Sequence, residues 1–305
     1  MTGQDLAPDM RVGVILPARG PLATGDAIAE AAAYAEAAGF ASVWSTDHII
    51  FPRDVGFIPP HTHSFDGKPR WDPKSSWLEA MIALTWAGAR TSTIRLGTAI
   101  IVLPVRSVLH TAKQVASLDF LTGGRVVLGV GAGWQPTEFE YLGANFEDRG
   151  RRLSEGIELL RACWADDPIH YGSDYHQVQD AVMKPKPAQG PALPILVGGD
   201  SPAALKRAAR LGDGWIASQL TPEEAGQGRA RLYALAEAAG RTTPPEIYVR
   251  APNGTTIDGP LLDEYRRAGV SELLVDLHHT AQDTAEYFRR LREVGVVASE
   301  GRVPS

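Results

Sequence analysis

The chain has 305 residues, 44% hydrophobic and 22% charged, which is the balance of a folded globular protein rather than a disordered one. Its formal net charge of -6 argues against broad nucleic-acid binding, which needs a concentrated basic face. A lone cysteine, Cys163, excludes a disulfide framework within the chain, and with no signal peptide or membrane-length apolar run visible, a cytoplasmic enzyme without membrane contact is expected.

Strand-like and helix-like segments alternate along the chain. Residues 12–16 read as a first strand, and the alanine-rich 26–38, stopped by Gly39, as a first helix. Residues 42–45 form a second strand, 76–89 a second helix, 94–102 a third strand and 108–121 a third helix ended by Gly123-Gly124. The fourth strand, 126–130, is a continuous apolar run of the kind covered on both faces, and 151–164 is the next helix. Residues 195–197, 214–217, 247–250 and 272–276 supply four more strands, with helices at 202–211, 223–239, 261–268 and 281–294. Eight strand-then-helix units in a chain of this length predict an α/β fold, a (β/α)8 TIM barrel in one domain, 1–305, with the barrel at about 11–295. An open doubly wound sheet is the competitor; the count of eight and the lack of a domain break favour the barrel. Two insertions stand out: a proline-rich lid, 49–74, and a hairpin, 169–194.

The C-terminal strand ends of a barrel carry its chemistry. The fourth strand runs into Gly129, Gly131 and Gly133, which strip side chains where a flat ligand can lie on bare backbone; glycines that merely turn the chain are the plain alternative. The run lacks G-x-G-x-x-G, because Trp134 stands at the last glycine's place, and no phosphate-binding P-loop exists. The fifth strand ends in Gly198-Gly199-Asp200, followed by Ser201 as N-cap and Pro202 as first helical residue, a natural anion site. The second strand ends in Asp47-His48, read as an acid/base pair in which Asp47 orients His48. His278-His279 follows the eighth strand. His61-x-His63 has no evident third ligand, and without H-E-x-x-H or a cysteine cluster no metal site is expected. No G-x-S-x-G elbow is present for a serine hydrolase. Cys163 reads as a small buried residue.

The ordered set Ser42-Val-Trp-Ser-Thr-Asp-His48, Arg95-Leu-Gly-Thr-Ala-Ile100, Ala112-Lys-Gln114, Arg125-Val-Val-Leu-Gly-Val-Gly-Ala-Gly-Trp134, Pro185-Lys-Pro187 and Val197-Gly-Gly199 resembles the luciferase-like monooxygenase superfamily over nearly the whole chain. It is most similar to the branch that uses the deazaflavin coenzyme F-420. The resemblance implies a TIM barrel, commonly a homodimer, acting on a small molecule. It implies that Asp47 and His48 lie beside the reactive ring as catalytic residues. It implies a non-prolyl cis peptide at Ala99-Ile100 supporting the ring. Gly131, Ala132 and Gly133 would contact cofactor, and Gly198, Gly199, Asp200 and Ser201 its phosphate end. Trp134 and His278 are the expected substrate contacts. Sugar-phosphate dehydrogenases of this branch carry a glutamate where this chain has Trp134, which argues against that activity; Glu138 follows four residues on. The expectation is F-420-dependent hydride transfer to or from a small organic substrate. The alternatives are an FMN-dependent monooxygenase using reduced flavin and oxygen, and a non-catalytic protein that binds flavin or deazaflavin.

Overall fold

A computed structural model describes residues 10–54, 75–277 and 283–300. The expected lid histidines His61 and His63, most of the 49–74 insertion, and His278 and His279 lie outside these residues.

Eight parallel strands close into a ring: β1 (Arg11–Ile15), β2 (Ser42–Ser45), β3 (Arg95–Thr98), β5 (Val126–Gly131), β8 (Ile195–Gly198), β9 (Gly214–Ser218), β10 (Glu246–Arg250) and β11 (Glu272–Val275). The ring shuts twice in register, β1 on β11 through Val12 against Leu273 and β3 on β5 through Leu96 against Val126. Closure leaves no long sheet edge exposed, and every strand is covered by helices outside and side chains inside. Ile15, Trp44, Val127, Leu196, Ile216, Tyr248 and Leu274 pack the interior, and Ala99 and Ile100 sit against this cluster. A short strand β4 (Ile101–Val102) extends alongside β5.

Several helices begin at capping residues. For α1 (Gly25–Ala37) the Thr24 side chain accepts the Ala27 N–H, and for α3 (Val108–Thr122) Ser107 caps the start while Gly123 ends it in the left-handed region. Ser201 and Pro202 open α6 (Pro202–Leu211), and a Thr221–Glu224 capping box opens α7 (Pro222–Ala238). The remaining helices are α5 (Arg149–Trp164), α8 (Gly259–Arg267) and α9 (Thr284–Glu300). The hairpin β6 (Ile169–Gly172) and β7 (Gln177–Ala181) falls in the expected insertion.

Several expected boundaries differ, among them the last helix, which spans Thr284–Glu300 rather than 281–294. Helix α2 spans Ala80–Gly88, not 76–89, because Ser76 to Leu78 hydrogen-bond back to Ala18 and Gly20 instead of entering a helix. The strand expected at 94–102 is interrupted at Ala99-Ile100, whose peptide is cis as the resemblance implies. A six-residue helix, α4 (Pro136–Tyr141), was not anticipated.

Candidate active site

The C-terminal strand ends surround one cavity of about 820 Å³. It is lined by Asp47 and His48 after β2, by Ala99 and Ile100, by Gly131 to Trp134 after β5, and by Gly198 to Ser201 after β8. Every expected site residue within the described parts of the chain therefore reaches one space.

The pairing of Asp47 with His48 needs correction. Asp47 Oδ2 accepts the Val102 N–H at 3.0 Å, and its carboxylate is held at both oxygens by Arg106, at 3.2 and 2.5 Å. Arg106 also meets Glu79 at 3.1 Å. Burial opposes the charge on Arg106, but Asp47 and then Glu79 hold its pKa above the ordinary value. Consecutive residues leaving a strand point to opposite faces, so Asp47 is turned into this structural network while His48 is turned elsewhere.

His48 is instead paired with Glu138 from α4. Its Nδ1 lies 2.9 Å from Glu138 Oε2, and Glu138 Oε1 accepts the Ile49 N–H at 2.8 Å. Glu138 is 1% exposed. Burial pushes its pKa up, but the hydrogen bond and charge of His48 and the N–H groups of Ile49 and Ile50 outweigh it, and the net shift is downward. An ionised carboxylate can only accept, so Nδ1 must donate, and Nε2 is left as the open nitrogen of a ring that lines the cavity. Phe51, Trp77 and Trp134 enclose the imidazole, with ring centroids 4.3, 5.2 and 5.7 Å away. Trp134 thus packs on His48 at the cavity wall, the position expected of a substrate contact.

The glycines at the end of β5 also make room for a neighbouring strand end. A Cβ at Gly129 would stand 2.0 Å from the Thr98 carbonyl oxygen, and one at Gly131 would stand 2.6 Å from Ile100 Cδ1. Gly198 likewise clears Ile100, where a Cβ would approach to 2.8 Å. These positions are bare so that the Ile100 side chain can seat between β5 and β8. Ile100 thus adds an apolar side chain beside the glycine backbone that lines the cavity. Gly133, at φ +83°, is required by its left-handed backbone and by Phe139 and Val102 beside it.

The segment after β8, expected to hold an anion, has the following geometry. Gly199 adopts φ +114°, open only to glycine. Ser201 Oγ accepts the Ala204 N–H at 3.2 Å, and Pro202 has no N–H, so Ala203 carries the unclaimed first-turn donor. Asp200 is the discordant member. Burial pushes its pKa up to about 6 against a hydrogen bond from the Ser218 backbone, and its Oδ1 is buried without a partner, as is Ser218 Oγ.

Among the cavity residues that sequence reasoning missed are four arginines. Arg19 follows β1, Arg250 ends β10, and both donate to Asp276 Oδ2, Arg19 at 2.6 Å. Burial lowers the Arg250 pKa, with Asp276 opposing. Arg149 and Arg207 line the α5–α6 side. The signal for Arg250 and Asp276 was available, since both are charged residues at C-terminal strand ends. Among the described residues no cluster of three potential metal ligands occurs, and no helix is long and apolar enough to cross a membrane. Cys163 is buried, and burial raises its thiol pKa, which suits an inert core residue.

Comparison with known proteins agrees with this geometry. Residues 10–259 match the luciferase-like monooxygenase family. An uncharacterised protein of Mycobacterium tuberculosis is 36% identical over 241 residues, which cover 79% of this chain and 81% of that protein. An F420-dependent glucose-6-phosphate dehydrogenase of Amycolatopsis mediterranei is 31% identical over 196 residues, covering 62% of this chain and 52% of that enzyme. Among solved structures, the FMN-bound oxygenating constituent of 3,6-diketocamphane monooxygenase, from a Pseudomonas putida plasmid, superposes with a TM-score of 0.73 at 16% identity, covering 97% of this chain and 99% of that one, a likeness of fold. The chain belongs to the luciferase-like monooxygenase family.

Proposed function

We propose that the protein is an F-420-dependent oxidoreductase that exchanges hydride with a small organic substrate, with His48 as the proton-transfer residue and Glu138 as its orienting partner. The observation that carries this reading is the buried Glu138–His48 pair at the edge of a cavity of about 820 Å³. A general acid–base must have one nitrogen fixed and the other open, and a carboxylate behind Nδ1 achieves both.

The cavity fits a ring joined to a phosphate through a hydroxylated chain. Asp200 Oδ1 and Ser218 Oγ are buried polar atoms lacking partners and line the same space, suited to such hydroxyl groups. Ile100 offers the apolar platform, and the first turn of α6 the phosphate donors. The deazaflavin, when bound, supplies the hydride chemistry. Trp77, Trp134 and Phe51 exclude water around His48. β1 stands four strands from β8 around the ring of eight, so Arg19 faces the cavity from the side opposite the phosphate and is suited to holding a substrate oxygen.

A homodimer through α2 and α3 belongs to the same reading. Ile82 and Trp86 of α2 and Leu109 of α3 are exposed by 66, 46 and 42%, apolar surface that such an interface would cover. The functional test is to incubate purified protein with oxidised F-420 and a panel of alcohols and aldehydes, and separately with reduced FMN and oxygen. Substrate-dependent bleaching of F-420 supports the proposal. Oxygen consumption with reduced FMN alone identifies a flavin monooxygenase, and binding without turnover across the panel identifies a carrier.

A further inference from the structure

The side of the cavity away from α6 is built from three consecutive strand ends. Arg19 follows β1, Asp276 follows β11 and Arg250 ends β10, and these strands are neighbours in the ring. Asp276 Oδ2 accepts from Nη2 of both arginines, from Arg19 at 2.6 Å. The Asp276 side chain is wholly buried, and those of Arg19 and Arg250 are 7 and 6% exposed. Both arginines line the cavity, whereas the carboxylate that ties them together does not. A guanidinium is always charged in a protein, so the trio sets two positive charges against one negative. Burial lowers the Arg250 pKa, Asp276 opposes this, and Arg19 adds to it. Of the described carboxylates that line the cavity, Asp47 is held by Arg106, and Asp200 and Glu147 come from the β8 and α5 ends. Among the described residues, an anion from outside is thus the complement to the remaining charge.

The trio is separate from the segment that receives the cofactor phosphate. It shares no residue with Gly198 to Ser201, and β1 stands opposite β8 in the ring of eight. It is instead joined to His48 through Trp77. The Arg19 guanidinium lies over the Trp77 ring at 5.4 Å, and the His48 ring stands edge-on to Trp77 at 5.2 Å. Guanidinium and imidazole therefore stand across one side chain, a span suited to a short carbon skeleton with an anion at one end and a reacting oxygen at the other. The apolar wall made by Ile100 and Gly131 follows β3 and ends β5, opposite β10 and β11.

We propose that the substrate is a small hydroxy or oxo acid, whose carboxylate is held by Arg19 and Arg250 while its hydroxyl or carbonyl oxygen meets His48. The assignment rests on the F-420 reading for the reaction and adds the substrate class. Asp276 acts as a positioning residue, turning both forks toward one point, and planar guanidiniums suit the two oxygens of a carboxylate.

The test is a ligand-observed NMR titration of the full-length protein, with and without F-420, using lactate against 2-propanol and pyruvate against acetone. Each pair differs by a carboxylate in place of a methyl group. Wild type is expected to bind the acid of each pair at least about tenfold more tightly, the scale of one hydrogen bond to a charged group. Arg19→Gln should bring the two members of each pair within about twofold of one another, while F-420 affinity, read by fluorescence, stays within about twofold of wild type. Arg19→Lys, which keeps the charge, should restore part of the preference and guards against a folding artefact. Equal binding within each pair by wild type, or no binding of any of the four, would overturn the substrate class and leave the cofactor reading intact. A preference that survives in Arg19→Gln would place the carboxylate elsewhere and overturn the subsite. A fall in F-420 affinity matching the loss of acid binding would assign Arg19 to the cofactor and likewise overturn it. Selective acid binding by a protein that does not bind F-420 would support the subsite and overturn the cofactor reading alone.

Discussion

Glu138→Gln is the sharpest perturbation of the proposed site, because it preserves shape and removes only the charge. In the native protein Oε2 accepts from His48 Nδ1 at 2.9 Å while Oε1 accepts from the Ile49 N–H at 2.8 Å. A glutamine cannot satisfy both, since one of its two polar ends is a donor. With its NH2 toward Ile49, a buried backbone N–H faces another donor. With its NH2 toward His48, the imidazole must take the other tautomer, and Nε2 becomes protonated where an open nitrogen was needed. The first arrangement costs stability of about 1–3 kcal/mol, and the second removes acid–base function worth a factor of about 10²–10⁴. The contribution to stability has a defined pH sense. The Glu138 pKa lies below its ordinary 4.5, so its contribution is present above that value and is lost as pH falls through the depressed one. Urea unfolding should therefore show wild type more stable than the variant at pH 7, with the gap closing below about pH 4.5. Nitrogen-15 NMR of the His48 ring should show Nδ1 protonated in wild type, and if the variant's ring takes the other tautomer, single-turnover rates with F-420 and an accepted substrate should fall at least about a hundredfold, the lower end of that range. A variant that keeps the wild-type tautomer, turns over within about threefold of the wild-type rate and loses no stability would refute the reasoning.

Asp47→Asn tests the corrected role of Asp47. It strips Arg106 of its bidentate partner and should destabilise the protein by about 3 kcal/mol while leaving the His48 tautomer unchanged by NMR; a tautomer change would restore Asp47 as the orienting residue. Asp200 has its pKa pushed up to about 6 from an ordinary 3.8, so the folded state disfavours its ionised form, a cost that grows between those values and is complete above pH 6. Asp200→Asn should thus raise unfolding stability at pH 8 by about 3 kcal/mol and leave it unchanged at pH 3, since each pH unit between the two pKa values contributes about 1.4 kcal/mol; a gain that ignores pH would contradict the assignment. Ile82→Asp places a charge on the exposed α2 face and should convert a dimer to monomer by light scattering, whereas an unchanged mass would show that this face is not the interface.

Much of the barrel was legible because short apolar runs such as Val126 to Val130 alternate with helical patterns eight times, and because Ser201-Pro202 announces a helix start. The second helix was overextended because nothing local says that Trp77 bridges to Arg19 across the barrel mouth. The site was legible as a set of strand ends but not as pairs. Asp47 and His48 are adjacent in sequence, yet successive residues of an extended chain face opposite ways. The true partner, Glu138, lies ninety positions away on a helix of only six residues. Its sequence sign was Pro136 at a helix start with an acid in the first turn, a signal too short to separate from a loop. The glycines of β5 line the cavity, but the seat that Gly131 also leaves for Ile100 is a long-range contact without a local trace.

A crystal structure of the protein with oxidised F-420 tests the central claim most directly. The account predicts the deazaflavin ring packed on Ile100 with His48 Nε2 turned toward its reactive face, Nδ1 still on Glu138, and the phosphate at the first turn of α6. A ring bound elsewhere, or a His48 turned away from it, would contradict the proposed function.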